Sequence, residues 1–119
     1  MTVLHYSGGC QCGAVRYEVE VDLASTITCN CSRCQKLGSV LSFTEGSHFK
    51  LLQGEDNLTE YIFNMHRIHH LFCKTCGIES FAKGKDPKSQ KEFVAINVNC
   101  LDGVNPRELK SQHFDGRAK

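Results

Sequence analysis

The chain has 119 residues, a formal net charge of +1, no tryptophan and eight cysteines. That length serves one folded domain and leaves too little for a second core. A near-neutral balance with no stripe of Lys and Arg argues against a nucleic-acid partner, because phosphate binding needs such a stripe. No stretch is apolar for long enough to span a membrane, and the first residues lack the charged start and apolar run of a signal peptide. The expected setting is cytoplasmic, where thiols stay reduced, so the cysteines need an explanation other than disulfides.

In chain order, Gly8-Gly9 reads as a turn ahead of a first cysteine pair. Val15–Val21 alternates apolar and polar residues with period two, the pattern of a half-buried strand. Ser32 to Leu37 is one helical turn with Ser32 as a possible cap. Val40–Phe43 and Phe49–Leu52 are short strands, and Gly54–Asn57 breaks the middle of the chain. Thr59–Phe63 and Ile68–Phe72 follow as strands. Gly84–Lys91 reads as a mobile polar loop, Glu92–Val98 as a β-branched strand and Asp102-Gly103 as a turn. Phe43, Phe49, Phe63, Phe72, Phe81 and Phe93 are assigned to the core. Many short strands with frequent turns point to a mostly β, antiparallel architecture.

Seven of the cysteines form three clusters: Cys10 and Cys12, then Cys29, Cys31 and Cys34, then Cys73 and Cys76. Structural zinc takes four ligands, whereas working zinc keeps one position open. The outer two pairs together make four thiolates, and a shared ion would close a loop of about sixty residues. Gly13 and Gly77 each follow the second cysteine of a pair, where positive φ lets backbone N–H groups turn toward the sulfurs. The bland readings are a pair of disulfides or buried thiols.

The middle cluster supplies three thiolates from one short segment. Zinc held by three thiolates is a weak Lewis acid toward water but can hold an entering thiol as thiolate, so the set suits thiol chemistry better than hydrolysis. Alternatively a protein group completes the site, with Cys100 the first candidate and His66, His69 and His70 the next. Reversible oxidation of an exposed thiol is a third reading.

With these clusters in hand, the chain resembles the glutathione-dependent formaldehyde-activating enzyme family, which includes centromere protein V. The resemblance rests on Gly8–Tyr17 (GGCQCGAVRY), on Cys29–Lys36 (CNCSRCQK) followed by Gly38, and on Phe72–Gly77 (FCKTCG). It implies a β-tent-like fold of the kind shared with a small GTPase-binding chaperone and methionine sulfoxide reductase B. It implies a structural zinc on Cys10, Cys12, Cys73 and Cys76 and a functional zinc on Cys29, Cys31 and Cys34. The implied activity is carbon–sulfur lyase chemistry, the joining of glutathione and formaldehyde into S-hydroxymethylglutathione and its reversal. Where family members often carry His, this chain has Asn30, which cannot act as a base.

Arg33 and Lys36 flank the middle cluster and could hold the carboxylates of glutathione, although solvated surface charge is the plainer reading. His66, Ile68 and His70 would share one strand face and His69 the other, with surface histidines the plain reading. Cys100 reads first as a buried thiol. The chain is thus expected to be a single mostly β domain over residues 1–119 with two zinc ions, acting on a small thiol–aldehyde adduct. The rivals are a zinc-ribbon-like protein-binding module without turnover and a reductase with Cys100 as nucleophile. The sequence sets neither the oligomeric state nor the base.

Overall fold

The computed structural model describes residues 3–62 and 68–115. Its strands are β1 (Leu4–Gly9), β2 (Arg16–Val21), β3 (Thr26–Cys29), β4 (Leu41–Glu45), β5 (Phe49–Gln53), β6 (Leu58–Tyr61), β7 (Ile68–Cys73), β8 (Phe81–Lys85), β9 (Glu92–Asn97) and β10 (Ser111–Phe114), with one short helix α1 (Ser32–Leu37). They form a three-stranded sheet in the order β1-β2-β5 and a seven-stranded sheet in the order β10-β3-β4-β9-β8-β7-β6. The mostly β expectation holds. Every pairing is antiparallel except β10 with β3, which runs parallel and sets Phe114 opposite Cys29.

The core lies between the sheets. From β2, Tyr17, Val19 and Val21 point inward while Glu20 faces solvent, as the period of a strand demands. Phe81, Val94 and Ile96 meet them from β8 and β9. The Tyr17, Phe49 and Phe81 rings form a triangle with centroids 4.7 to 5.6 Å apart. The Tyr17 hydroxyl donates to the Ser80 carbonyl at 3.1 Å and ties one sheet to the other. Tyr17→Phe should therefore cost about 1 kcal/mol and Tyr17→Ala about 3–5 kcal/mol, both read from urea unfolding midpoints.

The second face of the large sheet positions the site. On β9 the residues between Val94 and Ile96 and beside them, Ala95 and Phe93, turn away from the core. Ala82 on β8, Ile68 and His70 on β7, and Leu41 and Phe43 on β4 share that side and line a cavity. Phe43 is accordingly a wall residue, 48% exposed and edge-on to Phe93, and not core as its strand position suggested.

Other expectations shift for local reasons. Gly8 and Gly9 are the end of β1 and pair with Tyr17 and Arg16. The strand β8 runs on through Gly84 and Lys85, which shortens the expected polar loop from its start. The cap of α1 is Cys31, whose sulfur accepts from the Cys34 N–H, and not Ser32; Gly38 closes the helix in the left-handed region. Phe63 and His66 lie outside the described residues. No helix among those described is long and apolar enough to cross a membrane.

Candidate metal centres and active site

All eight cysteines are free thiols. The turn after β1 carries Cys10 and Cys12, and the turn closing β7 carries Cys73 and Cys76. Their four sulfurs lie within 4.8 Å of one another. Gly13 (φ 85°) and Gly77 (φ 79°) hold the positive angles that let each turn curl. The Val15 N–H then reaches the Cys10 sulfur, and the Thr75 N–H and Asn57 amide reach Cys73, each at 3.3 Å.

Tetrahedral zinc with sulfurs at ~2.3 Å sets neighbouring sulfurs roughly 3.8 Å apart. The Cys10–Cys12 and Cys12–Cys73 separations are 3.6 and 3.7 Å, so the donor set fits such an ion. The charges agree. N–H groups of Cys76 and Thr75, against burial, hold the Cys73 thiol down to about 6. The Ala14 N–H favours a Cys12 thiolate, but burial and the sulfurs of Cys10, Cys73 and Cys76 override it and push Cys12 up to about 11. Four sulfurs this close do not all ionise without a cation among them.

Cys29 ends β3, Cys31 caps α1 and Cys34 lies in its first turn, so one strand-to-helix corner gathers the second set within 4.8 Å. The Cys31 N–H donates to the Cys29 sulfur at 3.4 Å and the Cys34 N–H to Cys31 at 3.3 Å. Burial works against the Cys31 thiolate, yet the Cys34 N–H and sulfur contacts hold the thiol below its ordinary value. Cys34 is pushed up to about 12 by burial and by Cys31. Each cysteine group could hold a metal ion. Among the described residues no fourth His, Cys, Asp or Glu joins this trio.

The trio opens on a cavity of about 470 Å³ whose polar lining includes Ser39, His70 and Glu79. Glu79, with its side chain 7% exposed, links two partners. Its Oε1 accepts from Arg33 Nε and Nη2 at 3.0 and 2.6 Å. Its Oε2 takes a hydrogen bond from His70 Nδ1 at 3.2 Å, and its carbonyl accepts from Asn97 at 3.0 Å. The Arg33 guanidinium also stacks 4.7 Å from the Tyr61 ring centre. The Ser39 hydroxyl is buried at the wall beside Cys34, whose thiolate it favours against the burial that pushes that thiol up.

A crystal structure of a Rhodobacter sphaeroides protein has this fold, with a TM-score of 0.80 and 35% identity over 91% of this chain and 99% of that one. A family model described as glutathione-dependent formaldehyde-activating enzyme matches residues 5–115. The chain belongs to the glutathione-dependent formaldehyde-activating enzyme family. Membership supports a glutathione-dependent, formaldehyde-activating function and bears out the resemblance carried by the three cysteine clusters.

Within this member of the formaldehyde-activating family, the sequence-selected residues separate cleanly. His70 is buried and turned to the cavity, not a surface histidine, and Glu79, which anchors it, was not singled out from sequence. His69 faces the other way and pairs with Glu60. Cys100 stands apart from the trio, half-buried, with its thiol pushed up to about 11 by burial and then by Cys10 and Cys76. Asn30 ties the corner to the C-terminal strand through Asp115 at 2.9 Å. Arg33 is engaged by Glu79. Lys36 is exposed, and with Ser32, Arg33, Leu37 and Tyr61 lines a shallow depression of about 440 Å³. Cys31 and Cys34 line the cavity, whereas Ser32, Arg33, Lys36 and Leu37 line the depression.

Proposed function

We propose that the protein is a zinc-dependent carbon–sulfur lyase that forms and breaks a thiol–aldehyde adduct such as S-hydroxymethylglutathione. In this reading Cys10, Cys12, Cys73 and Cys76 hold a structural zinc and Cys29, Cys31 and Cys34 a functional one, within a single domain over residues 1–119. The observation that carries it is the sharing of one cavity by three thiols, a buried histidine and a buried hydroxyl. Zinc on the trio would supply a place where a substrate sulfur is held as thiolate.

The remaining work falls to the chain's own groups. Glu79 accepts from His70 Nδ1, which fixes the tautomer with its lone pair on Nε2. Arg33 bonds the same carboxylate and holds it in place. In breakdown, His70 Nε2 takes the hydroxyl proton of the adduct. The carbon–oxygen bond becomes a carbonyl as the carbon–sulfur bond breaks, and the sulfur keeps the electron pair as thiolate. In formation the same proton returns to oxygen as sulfur attacks the carbonyl. Lys36, with Arg33 beside it, supplies positive charge for the glutathione carboxylates at the depression along α1.

The test follows formaldehyde release from S-hydroxymethylglutathione by zinc-loaded protein. His70→Gln should lower kcat by 10²- to 10⁴-fold, the usual worth of a positioned acid–base group, with KM within about threefold. No release above the uncatalysed rate by the parent protein would refute the lyase reading. An unchanged kcat in the variant would remove His70 from it.

A further inference from the structure

The cavity beside the trio is far larger than the formaldehyde half of the family's adduct requires. Formaldehyde has two heavy atoms, and a water molecule of similar size takes about 30 Å³ in the liquid. The cavity measures about 470 Å³. Its walls are Ile27, Leu41, Phe43, Ile68, Phe93 and Phe114, from five strands of the large sheet. The floor is two alanines, Ala82 and Ala95, paired across β8 and β9. On the core side of those strands the neighbouring positions carry Phe81, Val94 and Ile96. Large side chains thus fill one face of the sheet, and small ones keep the other face hollow.

The charged parts of glutathione do not suit this space. Among the described residues that line it, none is Lys or Arg, and both oxygens of Glu79 are bonded to Arg33 and His70. A carboxylate drawn into such walls would lose water and meet no Lys or Arg among the described lining residues. Lys36 and Arg33 border the second depression, outside the cavity lining, with Arg33 already paired to Glu79. The two hollows therefore divide one substrate: charged arms in the depression, apolar substituent in the cavity, sulfur at the trio.

We infer that the cavity is a subsite for an apolar alkyl or aryl group carried on the substrate sulfur, so that adducts of larger apolar aldehydes are handled in preference to that of formaldehyde. The inference rests on the lyase reading for its chemistry. The bonds made and broken are those given above, with an alkyl group in place of one hydrogen on the carbonyl carbon. The subsite itself can be tested without turnover.

Unreactive S-methyl-, S-butyl- and S-hexylglutathione serve as probes, titrated calorimetrically into zinc-loaded protein. Each methylene entering the cavity should tighten binding about fourfold, the equivalent of ~0.8 kcal/mol. S-hexylglutathione is then expected to bind at least 30-fold more tightly than S-methylglutathione. Ala95→Leu, which raises the floor, should cut that ratio to below threefold. Hexyl and methyl probes binding within threefold of each other on the parent protein would overturn the subsite, whether or not S-hydroxymethylglutathione is cleaved. Tight hexyl binding alongside no cleavage of any adduct would support the subsite and reject the lyase reading. Cleavage of the hexanal adduct with kcat/KM above that of the formaldehyde adduct would support both.

Discussion

Cys73→Ala should leave the chain unfolded at 25 °C even with zinc in excess. Cys73 is fully buried in the core cluster and ends β7 opposite Leu58 of the edge strand β6. Its sulfur collects the Thr75 N–H and the Asn57 amide, both of which would lose their acceptor. Structural zinc contributes about 10–16 kcal/mol in small zinc folds, against a total stability of about 5–15 kcal/mol for a native protein. Loss of one of four thiolates therefore removes an amount comparable to all the stability there is. Far-UV circular dichroism and a thermal scan check it. A cooperative transition near that of the parent chain would show that the closed cluster does not hold the fold together.

The same change in the middle cluster should do the reverse. Cys31→Ala is expected to stay folded and to lose at least about 10³ in kcat, because a residue needed at the reacting sulfur acts with the site as a unit. Cys29, Cys31 and Cys34 are half-buried at the strand-to-helix corner and none belongs to the core cluster. The structural cost is the cap on α1, where the Cys34 N–H loses its acceptor, and a cap is worth about 1 kcal/mol. Urea midpoint and formaldehyde release, measured on one preparation, separate the two effects. An unfolded variant would make the trio a structural site, and a fully active one would place the chemistry elsewhere.

The contrast between the clusters was legible from spacing, because thiols one to three residues apart on tight turns have few other ways to lie. The strand β2 was legible for a similar reason: one face buried and one wet leaves a clean alternation. The edge strand β10 was not, since Ser111–Phe114 is exposed along its whole length and its place is set by Thr26–Cys29, far off in sequence. All of β1 escaped the sequence reading, and its end was hidden by Gly8-Gly9, which read as a turn although the Cys100 carbonyl, Leu101 and Tyr17 leave no room for a side chain at position 8. Glu79 escaped notice because a single acidic residue carries no local pattern. Its role comes from meeting Arg33 and His70 across the fold. The cavity was likewise illegible, because Ala82 and Ala95 read as ordinary strand residues until β8 and β9 are set side by side.

In the proposed division of labour, the four-sulfur cluster serves the fold and the three-sulfur cluster the reaction. Stepwise addition of zinc to metal-free protein, followed at once by circular dichroism and by formaldehyde release from S-hydroxymethylglutathione, addresses it directly. The first equivalent should restore the native spectrum with no turnover, and activity should rise only with the second. Full activity at one zinc per chain, or a native fold with no zinc at all, would contradict the account.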